Sequence, residues 1–109
     1  MRASKTRRSS RMADEIMREL GRTIVQESQD PRLQFLTITG VRLNKDLSIA
    51  EVLYTHFQGH SAELEKSLGN ARGFLRSNLG KNLKLRYVPE LRFTWDSFVE
   101  DMVYDSKNK

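Results

Sequence analysis

The sequence predicts an α+β domain in which helices cover one face of a three-stranded sheet. Three observations predict it. Apolar residues recur every three or four positions over two segments, 10–27 and 61–81. Period-two alternation marks three short runs, 36–43, 48–57 and 91–95. The segments follow one another as helix, strand, strand, helix, strand, an order that layers helices on a sheet. At 109 residues the chain fits one domain, with no internal repeat.

Residues 1–7 read as a flexible basic arm. Met12, Ala13, Ile16, Met17, Leu20 and Ile24 give the first helix, from Ser10 to Glu27, with Ser9 or Ser10 as its cap. Gly21 in mid-helix predicts close packing against a neighbour. Asp30-Pro31 ends the element, since a residue before proline avoids the helical region. Leu36 and Ile38 share one phase, Val41 and Leu43 the other, with Gly40 between; a phase switch at glycine predicts a β-bulge. Asn44, Lys45 and Asp46 supply a turn. Ala50, Val52 and Tyr54 alternate with Glu51, Leu53 and Thr55, so the two strands form a hairpin.

The second helix, ELEKSLGNARGFLRSNLGK, carries Leu64, Leu68, Ala71, Leu75 and Leu79 on one stripe, yet holds Gly69, Asn70 and Gly73. Each glycine costs about 1 kcal/mol against alanine in a helix interior. The stripe stays in phase through 71–73, which predicts a local kink and not a long loop. The bare backbone there, beside Arg72 and Arg76, admits either a phosphate or closer packing on the sheet. Leu91, Phe93 and Trp95 form the third strand. Residues 8–96 are then the domain, and 97–109 a charged, poorly ordered tail.

Net charge is +5, concentrated in two blocks. Residues 1–11 hold five basic side chains and no acid; residues 72–92 hold six against Glu90 alone. The remainder is mildly acidic. Such blocks point to a polyanion, nucleic acid first. The absence of cysteine excludes disulfides and thiolate zinc sites. The N-terminus has no apolar core of a secretory signal; its Arg and Ser content is that of a short transit peptide, but Asp14 and Glu15 follow at once. His56 and His60 stand four apart without a shared helical face or neighbouring carboxylates, so no metal site is expected. No nucleophile elbow or phosphate-binding glycine loop is present, and nothing in the motifs points to an enzyme or a cofactor.

Six motifs in order carry a resemblance: Arg8-Ser-Ser-Arg11-Met12-Ala13, Asp30-Pro31-Arg32, the hairpin pieces Thr37-Ile-Thr39-Gly40-Val41 and Asp46-Leu47-Ser-Ile-Ala50, then Ala71-Arg72-Gly73-Phe74-Leu75-Arg76 and Leu85-Arg86-Tyr-Val-Pro89-Glu90-Leu91-Arg-Phe93. Together they resemble the bacterial ribosome-binding factor A family over residues 8–96. The last two motifs are the specific ones. The resemblance implies a type II KH-like fold, α-β-β-α-(kink)-α-β, with the kink at Ala71 and Gly73 replacing the RNA-gripping loop of ordinary KH domains. It also implies a monomeric, non-enzymatic cytoplasmic assembly factor. Such a factor binds the immature small ribosomal subunit and its rRNA precursor, helps mature the rRNA 5′ end and supports growth in the cold. Phe98 to Tyr104 match the family pattern poorly, and Gly21 interrupts a helix expected to be continuous.

On this reading Arg7, Arg8, Arg11, Arg72, Arg76, Lys81, Lys84 and Arg86 touch phosphates of folded rRNA, with few aromatics free to stack. The rival is a generic KH-like module without a dedicated assembly role, binding RNA or docking a protein partner with its basic patches incidental.

Overall fold

In the computed structural model, residues 7–98 are described. They form α1 (Arg7–Glu27), a 3-10 helix (Pro31–Phe35), β1 (Leu36–Leu43), β2 (Ile49–His56), α2 (Ala62–Leu83) and β3 (Glu90–Trp95). The sheet order is β1-β2-β3, with β1 antiparallel and β3 parallel to β2. A parallel neighbour needs a crossover connection, which α2 provides. The fold is the expected α+β arrangement, two helices on a three-stranded mixed sheet.

Each element forms for a local reason. α1 buries Ile16, Leu20, Thr23 and Ile24 on one stripe and leaves its charges in water. The helix starts earlier than its apolar period suggests. Arg7 lies in its first turn rather than in an arm, and Ser9 and Ser10 are helical rather than capping. The rest of the expected arm, and the tail beyond Phe98, lie outside the described residues. Asp30 stays extended ahead of Pro31 (φ −87°, ψ 114°), and its carboxylate accepts from Arg32 N at 2.9 Å to cap the 3-10 helix. That short helix had no apolar period to reveal it.

The bulge sits where the phase switch places it. Ile38 pairs with Tyr54 and Gly40 with Leu53, leaving Thr39 as the extra residue. Its hydroxyl donates to Asp96 Oδ2 at 2.6 Å. In the turn, Asn44 Oδ1 accepts from Ile49 N at 2.8 Å, and Asp46 Oδ1 accepts from Ser48 N at 3.1 Å and Ser48 Oγ at 2.6 Å.

Ser61 caps α2, its hydroxyl accepting from Leu64 N at 3.0 Å, and Glu63 and Glu65 complement the helix dipole in the first turn. Leu64, Leu68, Leu75 and Leu79 are buried against Ala50, Val52, Tyr54 and Leu91 of the sheet and Ile16, Leu20 and Ile24 of α1. Ala71 is half-buried against the same core. The structure has one uninterrupted helix where the resemblance implies two. The apolar stripe remains in phase on both sides of 71–73, so core packing carries the helix through its two weak glycines.

The glycines separate by what surrounds them. A Cβ on Gly21, Gly69 or Gly73 would meet nothing within 4 Å. The close packing expected at Gly21 is therefore absent, and sheet packing does not account for Gly73. Gly80 is different: a Cβ there would lie 2.8 Å from Val88 Cγ2, so glycine lets the chain after α2 fold back against the helix.

Candidate nucleic-acid interface

The two helices run antiparallel, and two polar contacts pin them. Near one end, Ser67 of α2 donates to the Asp30 carboxylate. Near the other, Asn82 Nδ2 donates to Glu19 Oε2 at 2.5 Å. Glu19 also accepts from Arg22 Nη2 at 2.6 Å and from the buried Thr23 hydroxyl at 3.2 Å. The Arg22 hydrogen bonds dominate and, with Asn82 and Thr23, hold the Glu19 carboxyl at about 2, far below its ordinary value.

The α1 turns that precede Glu19, carrying Arg7, Arg8 and Arg11, extend toward the end of the helical layer where α2 closes at Lys81 and Lys84. Met12, Leu83 and Val88 pack on the core there, and Arg86 follows in the connector. Arg72 and Arg76 lie farther back along α2, toward β3. The Glu90 carboxyl is held below its ordinary range first by its hydrogen bond from Arg92, then by the charge of Arg92, with smaller contributions from Arg72 and Arg76. The eight cations thus lie in the first turns of α1, along α2 from Arg72 onward, and in the connector that follows it.

All eight are exposed, and none makes an ion pair among the described residues. Elsewhere most arginines are paired: Arg22 with Glu19 and Glu27, Arg32 with Asp30, Arg42 with Glu51 and Arg92 with Glu90. Arg18, Lys45 and Lys66 also lack such a pair among the described residues.

Arg76 has a structural duty that sequence reasoning missed. Its Nη2 donates to Val88 O at 2.9 Å and its Nε to Pro89 O at 3.2 Å, fastening the connector to α2. Lys84 closes α2 in the left-handed region (φ 55°, ψ 42°), a position usually held by glycine, and its N–H donates to Gly80 O. Because α2 is continuous through Ala71 and Gly73, a cradle of freed amides is not formed there. What is present there is an exposed Gly73 on a helix that also exposes Arg72 and Arg76.

The expectation of few free aromatics does not hold. Phe35, Phe57, Tyr87 and Phe98 are 60%, 83%, 78% and 70% exposed, and Phe74 is also exposed. Phe35 and Phe57 meet with ring centroids 5.9 Å apart and planes tilted by 41°, where β1 begins and β2 ends. Tyr87 follows Arg86 in the connector, with the Arg86 guanidinium carbon 5.5 Å from its ring centroid; its place beside Arg86, outside any alternating run, was the available signal. His56 Nδ1 accepts from Gln58 N at 3.0 Å, so Nε2 carries the proton and donates to Arg32 O at 2.7 Å. His60 pairs with Glu65 at 2.5 Å. No helix among the described residues is long and apolar enough to cross a membrane.

Comparison with known proteins decides the family. The model of the family "Ribosome-binding factor A" matches residues 8–107. The chain belongs to the ribosome-binding factor A family. The family match extends past residue 96, where the motif resemblance stops. A ribosome-binding factor A of Thiobacillus denitrificans is 47% identical over 96 residues, covering 85% of this chain and 77% of the relative. The crystal structure of ribosome-binding factor A from Thermus thermophilus is similar at TM-score 0.69 and 30% identity, covering 79% of this chain and 93% of that one. A homology model of the Thermus thermophilus factor, fitted into a cryo-EM map of a 30S complex, is similar at TM-score 0.65 and 32% identity, covering 74% and 87%.

Proposed function

We propose that this protein binds the immature small ribosomal subunit in the cytoplasm, as a monomer, and assists maturation of the 5′ end of its rRNA, including in the cold. It acts by binding and catalyses no reaction. The observation that carries this reading is the set of eight exposed cations, none of them in an ion pair among the described residues. Family membership and the 30S complex of the Thermus relative support it.

The mechanism follows from charge and shape. Folded rRNA presents phosphates on its surface, and its deep, narrow major groove hides base edges from side chains. Arginine forks suit phosphate oxygens, and every cation seated on a phosphate displaces counterions. Around Gly73 the absence of a side chain lets a phosphate approach helix backbone between Arg72 and Arg76. Binding should therefore be steep in salt and indifferent to most of the sequence.

The test is affinity for purified small subunits over a range of salt. If all eight cations seat on phosphates, log K should fall with log salt with a slope of about −7. Arg11→Ala and Lys84→Ala should each shallow it by about one unit. Both are better probes than Arg76, whose loss would also free the connector. The exposed Phe35–Phe57 pair favours a second reading, a KH-like module that docks a protein through that end. Salt-insensitive affinity, abolished by Phe57→Ala, would establish it instead.

A further inference from the structure

Connector 84–89 is fastened at both ends yet presents two large side chains to solvent. Lys84 N and Leu85 N both donate to Gly80 O, the latter at 3.2 Å. Val88 rests against bare Gly80, Arg76 holds the Val88 and Pro89 carbonyls, and Pro89 is buried. Between these anchors Tyr87 is 78% exposed, with the Arg86 guanidinium carbon 5.5 Å from its ring centroid. This ring packs on no core residue, and its backbone is already ordered, so little further freedom is lost when it meets a ligand.

We propose that Tyr87 is a stacking platform for one unpaired nucleobase of the RNA that the exposed cations bind, with Arg86 orienting the ring and neutralising an adjacent phosphate. The proposal rests on reading those cations as RNA-binding. An exposed aromatic ring among cations matches the surface that single-stranded RNA requires, a flat apolar face beside positive charge. Bases inside a duplex have both faces covered by neighbours, so the partner nucleotide comes from a loop, bulge or end. Arg86 serves twice, since a guanidinium stacks on an aromatic face while its edge still donates to phosphate.

The experiment measures affinity of the full chain for small subunits at several salt concentrations, for wild type, Tyr87→Phe, Tyr87→Leu, Tyr87→Ala and Arg86→Ala. Stacking predicts that Leu and Ala weaken binding roughly tenfold with the salt slope unchanged, while Phe stays near wild type. Arg86→Ala should weaken binding and also shallow the slope. A Tyr87→Trp variant should show additional emission that small subunits quench. Leu binding as well as Phe, or no quenching of the Trp variant, would overturn the platform while the wild-type salt slope upheld the RNA surface. No binding of wild type to small subunits would overturn both.

Discussion

Glu19 makes the most telling perturbation, because one carboxylate joins α1 to the end of α2 that carries Lys81 and Lys84. It accepts hydrogen bonds from Arg22, Thr23 and Asn82, and its side chain is only 11% exposed. Its folded pKa of about 2 lies below the ordinary 4.5. A depressed carboxylate stabilises the fold above its unfolded pKa and loses that contribution as pH falls through the folded one. At about 1.4 kcal/mol per unit, the full shift sets an upper bound of about 3 kcal/mol. Arg22 is more than a third exposed, and solvent screening reduces the figure to about 1–2 kcal/mol. Urea unfolding of wild type and Glu19→Gln should therefore differ by about that amount at pH 7, and the gap should close between about pH 5 and pH 2. A difference that stays constant down to pH 2, or no difference at pH 7, would refute the assignment of Glu19 as the pin.

The glycines give two further predictions. Gly80→Ala should destabilise by about 1 kcal/mol net, the overlap with Val88 outweighing the gain in helix propensity, whereas Gly21→Ala, facing open space, should stabilise by about 0.5–1 kcal/mol; thermal or urea unfolding distinguishes them. Gly73→Ala should also stabilise the isolated protein, yet weaken small-subunit binding if a phosphate meets the helix backbone there; equal affinity would leave Gly73 without a contact.

The elements that periodicity encodes were legible in the sequence. Ile16, Leu20 and Ile24, the alternation of Ala50, Val52 and Tyr54, and the phase switch at Gly40 all specify what is observed, because burial enforces one register. What was not legible depends on contacts between distant residues or on tertiary support. The start of α1 at Arg7 has no apolar signal. The second helix holds through Gly69 and Gly73 because its leucines are packed, which propensity does not record. Gly21 promised a close neighbour and faces open space.

The candidate interface divides the same way. Charge blocks named the eight cations, but only the antiparallel helix pair explains why Arg7, Arg8 and Arg11 share an end with Lys81, Lys84 and Arg86. Nothing in the sequence told Arg76 from Arg72. The difference is two hydrogen bonds to the connector, made across thirteen and twelve residues. Tyr87 had only its place beside Arg86 to mark it, and its exposure is a property of the anchored connector.

The most direct test of the central claim is sedimentation of the purified protein with small subunits, large subunits and assembled ribosomes, at low and moderate salt. The account predicts recovery with free small subunits, weakening as salt rises, and little with the other two at either salt. Equal recovery with all three, lost together as salt rises, would contradict it and leave a general basic RNA binder on this fold.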